Sequence, residues 1–163
     1  MMRLLLTLAL LLPLAACDTF SAGDADPARI RTDAEAYTAR VADRIVELSL
    51  AFTYVNVSGR TAYLHGCGGP APPSIEKRVG EEWVNVYNPV VALCQSPLTP
   101  VAPGDTYRYE FTPRAGLPGS NVVPEWDADG VEGTYRLVWS VEERGDRRRA
   151  ISNEFELSVE DGN

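Results

Sequence analysis

Between positions 46 and 54 the side chains alternate without a break. Val46, Leu48, Leu50, Phe52 and Tyr54 interleave with Glu47, Ser49, Ala51 and Thr53. A period of two sends one set to one face of an extended strand and the other set to the opposite face. A helix would scatter the same residues around its circumference. The segment therefore predicts a strand with one buried and one wetter face, which other strands must cover. Asn56-Val57-Ser58-Gly59 follows as a turn, because Asn and Gly accept the positive φ that tight turns require. Residues 61–65 then return as a second strand.

The remainder of the chain repeats this alternation in short pieces. Residues 66–73 read Gly-Cys-Gly-Gly-Pro-Ala-Pro-Pro, which is excluded from regular sheet because proline lacks the ladder donor. Residues 75–79 and 83–87 flank Gly80-Glu81 as a hairpin. A Pro-rich link leads to the turn Val101-Ala102-Pro103-Gly104-Asp105 and to alternating Tyr107, Tyr109 and Phe111. A second irregular stretch spans residues 113–130. A final hairpin is predicted from residues 134–141, a charged tip at Gly145-Asp146, and residues 151–159. Residues 33–41 read as a first strand or a short helix, with the strand placed at residues 37–41. With 13 glycines and 12 prolines among 163 residues, turns are plentiful, and no helical period stands out after position 17. The expectation is an all-β fold, an antiparallel β-sandwich of about 7–8 strands.

The first residues are of another kind. Arg3 precedes a run from Leu4 to Leu12 that is apolar except for Thr7, and Pro13 ends it. With Leu14 the segment makes roughly 16 Å of helix at about 1.5 Å per residue. A bilayer core of about 30 Å needs nearly twice that, so the segment is too short to span. Leu14-Ala15-Ala16-Cys17 comes next: small side chains followed by a cysteine. This tetrad resembles the lipobox of bacterial lipoproteins. The resemblance implies a signal peptide over residues 1–16, a diacylglyceryl thioether on Cys17 and cleavage before it. Two or more acyl chains give stable anchoring where one gives only marginal binding. The expected location is the bacterial cell envelope, lipid-anchored with the domain outside the cytoplasm. The motif leaves inner and outer membrane open. Residues 17–33, small, polar and acidic, read as a flexible tether, and residues 34–160 as the folded domain.

Removing residues 1–16 from the 163 leaves 147, enough for one domain with a sizeable core. The net charge of −8 becomes −9 once Arg3 departs. An acidic surface of this kind argues against nucleic acid and against adsorption to anionic headgroups. Cys67 and Cys94 remain, and an even pair in an exported chain reads as a disulfide. Closing that loop would stabilise the fold by about 3–4 kcal/mol in the chain-entropy account. Metal binding or a nucleophilic thiol are the alternatives, but zinc needs about four ligands and the chain has one histidine beside these cysteines.

Further along, Gly133-Thr134-Tyr135-Arg136-Leu137 and Ser152-Asn153-Glu154-Phe155-Glu156-Leu157 resemble the closing strands of bacterial immunoglobulin-like lipoprotein domains. Asn56-Val57-Ser58-Gly59, Trp83 and Pro103-Gly104-Asp105 fit the same pattern. The resemblance implies an immunoglobulin-like β-sandwich over residues 45–159. It also implies a tyrosine corner at Tyr135, with its hydroxyl bonded back near Asp129 or Gly130. Position 137 is Leu, where antibody-type domains carry Cys. Some of these features are also similar to a small all-β family of bacterial intracellular proteinase inhibitors.

Chemistry-bearing constellations are sparse. His65 is the only histidine, and no G-x-S-x-G or phosphate-binding glycine loop is present. Asp127, Asp129, Gly130 and Glu132 lack the spacing of a calcium loop and read as a solvated turn. Arg147-Arg148-Arg149 reads as cross-strand partners of Glu142 and Glu143, with a polyanion site as the alternative. Trp139 is assigned to the core, Trp83 to core or edge, and Trp126 to a loop where it either caps the fold or meets a partner. No catalytic set, cofactor or metal is expected. The function expected is a non-catalytic, lipid-anchored binding or structural module with an envelope protein as partner. The contact surfaces expected are the 66–73 and 113–130 loops. The alternative is a proteinase inhibitor presenting a Pro-rich loop.

Overall fold

The structure, a computed structural model, describes residues 29–91 and 96–161. These residues form an all-β body. In chain order the strands are β1 (Ile30–Thr32), β2 (Ala36–Ala42), β3 (Ile45–Glu47), β4 (Leu50–Val55), β5 (Ala62–Leu64), β6 (Ser74–Val79) and β7 (Glu82–Tyr87). There follow β8 (Thr99–Val101), β9 (Thr106–Phe111), β10 (Arg114–Gly116), β11 (Gly133–Glu143), β12 (Asp146–Ile151) and β13 (Phe155–Asp161). One sheet has the order β1-β4-β9. The other runs β10-β3-β2-β13-β11-β5-β8, with β12 and β6 also on β11 and β7 on β6.

Strand β11 is the axis of the larger sheet, and four strands share its two edges. On one edge β13 pairs with residues 133–135 and β12 with residues 138–143. On the other, β6 pairs with residues 135–138 and β5 with residues 141–143. Its alternating inward side chains, Tyr135, Leu137, Trp139 and Val141, are buried. Trp139 meets the smaller sheet edge-on: its ring lies 5.0 Å from that of Phe52 and 6.2 Å from that of Tyr54, at nearly right angles to both. Tyr109 of β9 closes the group at 5.5 Å. Such pairs contribute about 0.5–1.5 kcal/mol each beyond the area they bury.

The alternating segment at 46–54 buries the expected residues but is not one strand. It divides at Leu48-Ser49 into β3 of the larger sheet and β4 of the smaller. Both sheets bury the same inner face, so a chain that bends from one to the other keeps its period of two through the corner. The expected return of residues 61–65 beside it is likewise corrected: β5 pairs with β11 and β8 rather than with β4. The turn between them is a passage from sheet to sheet, held by Asn56. That side chain is fully buried. Its Nδ2 donates to the carbonyls of Arg60 and Val101, each at 2.8 Å, and its Oδ1 accepts from the amide and hydroxyl of Ser58.

Three further expectations change. The last return arm breaks at residues 152–154 into β12 and β13, and β13 pairs with β2 in parallel, so the larger sheet is not wholly antiparallel. The tether expected over 17–33 ends sooner, since Ile30 is fully buried and β1 is already paired to β4. The body entry is fixed there by charge: the Arg29 guanidinium bonds the Glu143 carboxylate, which also accepts from the Tyr54 hydroxyl at 3.5 Å. The described strands number thirteen against the seven or eight expected, because short rungs such as β1, β3, β8 and β10 carry too few residues to show a period.

Candidate functional site

Strands β6 and β5 hand over to each other along one edge of β11, and residues 139 and 140 fall in the gap. The chain between those strands swings out as the 66–73 loop, and a groove of about 250 Å³ remains at the break. Its apolar walls are Pro72, Pro89, Val91 and Val138, with Trp139 beneath. Its polar lining is His65, Ser74, Ser140 and Arg149.

The register explains this grouping. Arg136, Val138, Ser140 and Glu142 occupy every second position of β11 and share its outer face. Across β12, Ser140 stands opposite Arg149, and Glu142 opposite Arg147. Glu76 of β6 is 7% exposed and binds two guanidinium groups: Arg136 at 2.6 Å and Arg149 at 2.5 Å. Arg136 also lies 4.3 Å from the centre of the Trp83 ring, with Arg78 5.4 Å away. At the other end of the groove His65 Nε2 contacts Glu142 Oε2 at 2.7 Å.

The arginine run is therefore paired in part as expected: Arg147 stands across the ladder from Glu142, and Arg149 does not pair with either glutamate. Glu142 faces outward to His65 and Glu143 faces inward to Arg29, while Arg149 is held by Glu76. Alternation alone separates the two glutamates onto opposite faces. Of the three cysteines assigned from sequence, Cys17 and Cys94 lie outside the described residues, and Cys67 is on the exposed side of the 66–73 loop.

Both loops expected as contact surfaces turn their backbones inward. Trp139 Nε1 donates to the Ala71 carbonyl at 2.6 Å, and the Tyr109 hydroxyl donates to the Pro70 carbonyl at 3.1 Å. The 66–73 loop thus closes one side of the body between the two sheets. In the other loop Trp126 is fully buried, against Tyr135 at 5.8 Å, so it belongs to the core. Its amide donates to the Gly116 carbonyl at 2.7 Å, and the Asp127 amide to the Val86 carbonyl at 2.8 Å. Val123 remains 77% exposed at the loop's tip. Tyr135 does bond back to the backbone, through Val131 rather than Asp129 or Gly130, and burial pushes its phenol well above the usual range. Trp83 is the outward-facing residue of an edge strand.

Asp127 and Asp129 are exposed and line neither this groove nor a second hollow of about 160 Å³ near the β2–β3 turn. That hollow is framed by Arg40, Asp43, Glu47 and Arg114, and the Arg114–Glu47 pair at 2.9 Å neutralises much of it. Among the described residues no group of three or more His, Cys, Asp or Glu side chains is placed to hold a metal ion, and no helix is long and apolar enough to cross a membrane. The groove had no separate sequence signal. It arises because two strands 10 residues apart in the chain add to one edge, and only the Gly- and Pro-rich interval between them hints at that.

No family model matches the chain, and no curated protein matches it. Among solved structures it is similar to the X-ray structure of Northeast Structural Genomics Consortium target SoR45. The TM-score is 0.46 and the identity 16%, covering 83% of this chain and 90% of that one.

Proposed function

We propose that this chain is a non-catalytic, lipid-anchored protein of the bacterial cell envelope whose immunoglobulin-like sandwich acts as a binding module. The observation that carries the binding part is the groove between β5 and β6, with the Arg149 guanidinium at its polar end, held from behind by the Glu76 carboxylate, and apolar walls beside it. The anchoring part rests on the Leu14-Ala15-Ala16-Cys17 tetrad after a short apolar run. The two fit together mechanically. The chain enters the body at Arg29, on the level of Glu143, while the groove opens on the outer face of the sheet near Ser140. Cys67 and Cys94 would pair as a disulfide outside the cytoplasm. The proteinase-inhibitor alternative loses its best loop, since the Pro70 and Ala71 carbonyls are already engaged inside the body.

Two measurements test this reading. Cells fed radioactive fatty acid should label the native protein and not the Cys17→Ser variant, and the label should fractionate with membranes. A native protein that stays unlabelled and cytosolic overturns the anchoring. Alkylation without reductant should leave Cys67 and Cys94 unmodified, and quantitative modification of both overturns the disulfide.

A further inference from the structure

We infer that the groove is a site for one carboxylate group borne on a short apolar stem, either a free monocarboxylic acid or the C-terminal residue of a peptide. This rests on the binding-module reading and assigns its ligand class. The first ground is charge. Arg136 and Arg149 share the single carboxylate of Glu76, so this outer face holds one uncompensated positive charge. Arg136 is committed by its stack on Trp83 and is mostly buried, whereas the Arg149 side chain is 60% exposed and lines the groove. Only one of its guanidinium nitrogens is engaged by Glu76, leaving other N–H groups to meet a carboxylate in the paired geometry such groups favour.

The second ground is the neighbouring row. The Ser140 hydroxyl stands directly opposite Arg149 on the same face and can donate to the same anion. One step further, Arg147 stands across the ladder from Glu142, which also contacts His65, so the guanidinium there has its own carboxylate. A dianion such as a phosphate monoester would bring a second charge, and the groove lining, with Arg149 as its one arginine, has no second guanidinium to meet it. The site therefore selects for a single negative charge. The apolar walls on the other side, Val138, Pro72, Pro89 and Val91, take a stem with no hydrogen-bonding needs. The volume lies below the range of about 300–1,000 Å³ common for drug-sized ligands, which fits a few carbons and not a large molecule.

The test is calorimetric titration of the full chain in non-ionic detergent, with detergent alone subtracted. The probes are hexanoate, hexanamide, hexyl phosphate, and the tripeptide Ala-Ala-Leu with a free or an amidated C-terminus. Saturable binding of hexanoate, of the free-acid tripeptide, or of both supports the site, and which of them binds identifies the source of the carboxylate. Each amide should bind at least about tenfold more weakly than its acid, as loss of a charged hydrogen bond predicts. Arg149→Gln should weaken the acid by a similar factor, while Arg114→Gln, on the far hollow, leaves it unchanged. Thermal melts check that both variants fold. The assignment is overturned if neither acid saturates, if the amides match the acids, if hexyl phosphate binds as tightly as hexanoate, or if Arg149→Gln has no effect. Fatty-acid labelling at Cys17 reads the anchoring separately, so a labelled protein that binds no acid overturns this site alone.

Discussion

Gly66 shows how much one hydrogen atom in place of a methyl group can decide. A Cβ there would lie 1.9 Å from the Gly69 carbonyl oxygen and 2.4 Å from the Ala71 amide, both backbone atoms with little freedom to yield. Gly68, two residues on, has open space around it and needs glycine only for its φ of +75°. Gly66→Ala should therefore cost about 3 kcal/mol, as overpacking does, and Gly68→Ala only about 1 kcal/mol, the left-handed penalty. Urea unfolding of the two variants gives the comparison directly. Asn56 works by satisfaction and not by space. Asn56→Ala should cost about 2–3 kcal/mol, because the Val101 and Arg60 carbonyls lose their donors in a buried place. Asn56→Asp should cost more than Asn56→Ala, since a carboxylate would face those same two oxygens.

Among the elements, β1 is held on two sides, by β4 and by Asn153, whose side chain bonds the Thr32 amide and hydroxyl. Its three residues pair with β4 and bring Arg29 against Glu143. Those side chains are 21% and 11% exposed, so removing one partner strands the other in a poorly hydrated place. Glu143→Ala should cost about 2–4 kcal/mol, below or within the range for buried pairs because Arg29 keeps some solvent. Amide exchange should show β1 opening before the core of β11 does. The same element scale shows what was legible in the sequence. The faces of β4, β9 and β11 could be read because each has six or more alternating residues. Which sheet a strand joins could not, because β3 and β4 keep one period while belonging to different sheets. The parallel partnership of β13 and β2 joins segments more than a hundred residues apart, and no local pattern encodes it. The groove was hidden for the same reason: it is a property of two strands meeting one edge. For Trp126 the sequence left cap and partner contact open because its loop looks irregular; the ring fills the space beside Tyr87 and Tyr135, as a cap does.

At the scale of the molecule, the buried phenols set the alkaline limit. Burial, reinforced by the Glu143 carboxylate, pushes the Tyr54 pKa from 10.0 up to about 12. Tyr37 is also raised to about 12, by burial and by its bond to Asp33. A phenol whose folded pKa exceeds its unfolded value lends stability that is fully present below pH 10 and is lost as pH rises toward 12. Denaturation midpoints should hold to about pH 10 and then fall, with tyrosinate absorbance rising as the structure melts; ionisation of every tyrosine near pH 10 in a still-folded protein would contradict the burial. Asp33 acts at the other limit. Its carboxyl, held below 3.8 chiefly by the Tyr37 hydroxyl, supports the fold fully above that value and loses this effect as pH falls from there through its lower folded value. Asp33→Asn should flatten that acid-side decline.

The seat of Arg29 has a consequence for mechanics. If the anchoring holds and a ligand is drawn outward from the groove, tension from the N-terminal side passes through this guanidinium and along the short β1–β4 ladder. Pulled along its own axis, that ladder is loaded in shear, so its rungs share the force instead of parting one after another. The strength of the hold on the membrane is then set inside the protein, by one ion pair, three rungs and the Asn153 side chain.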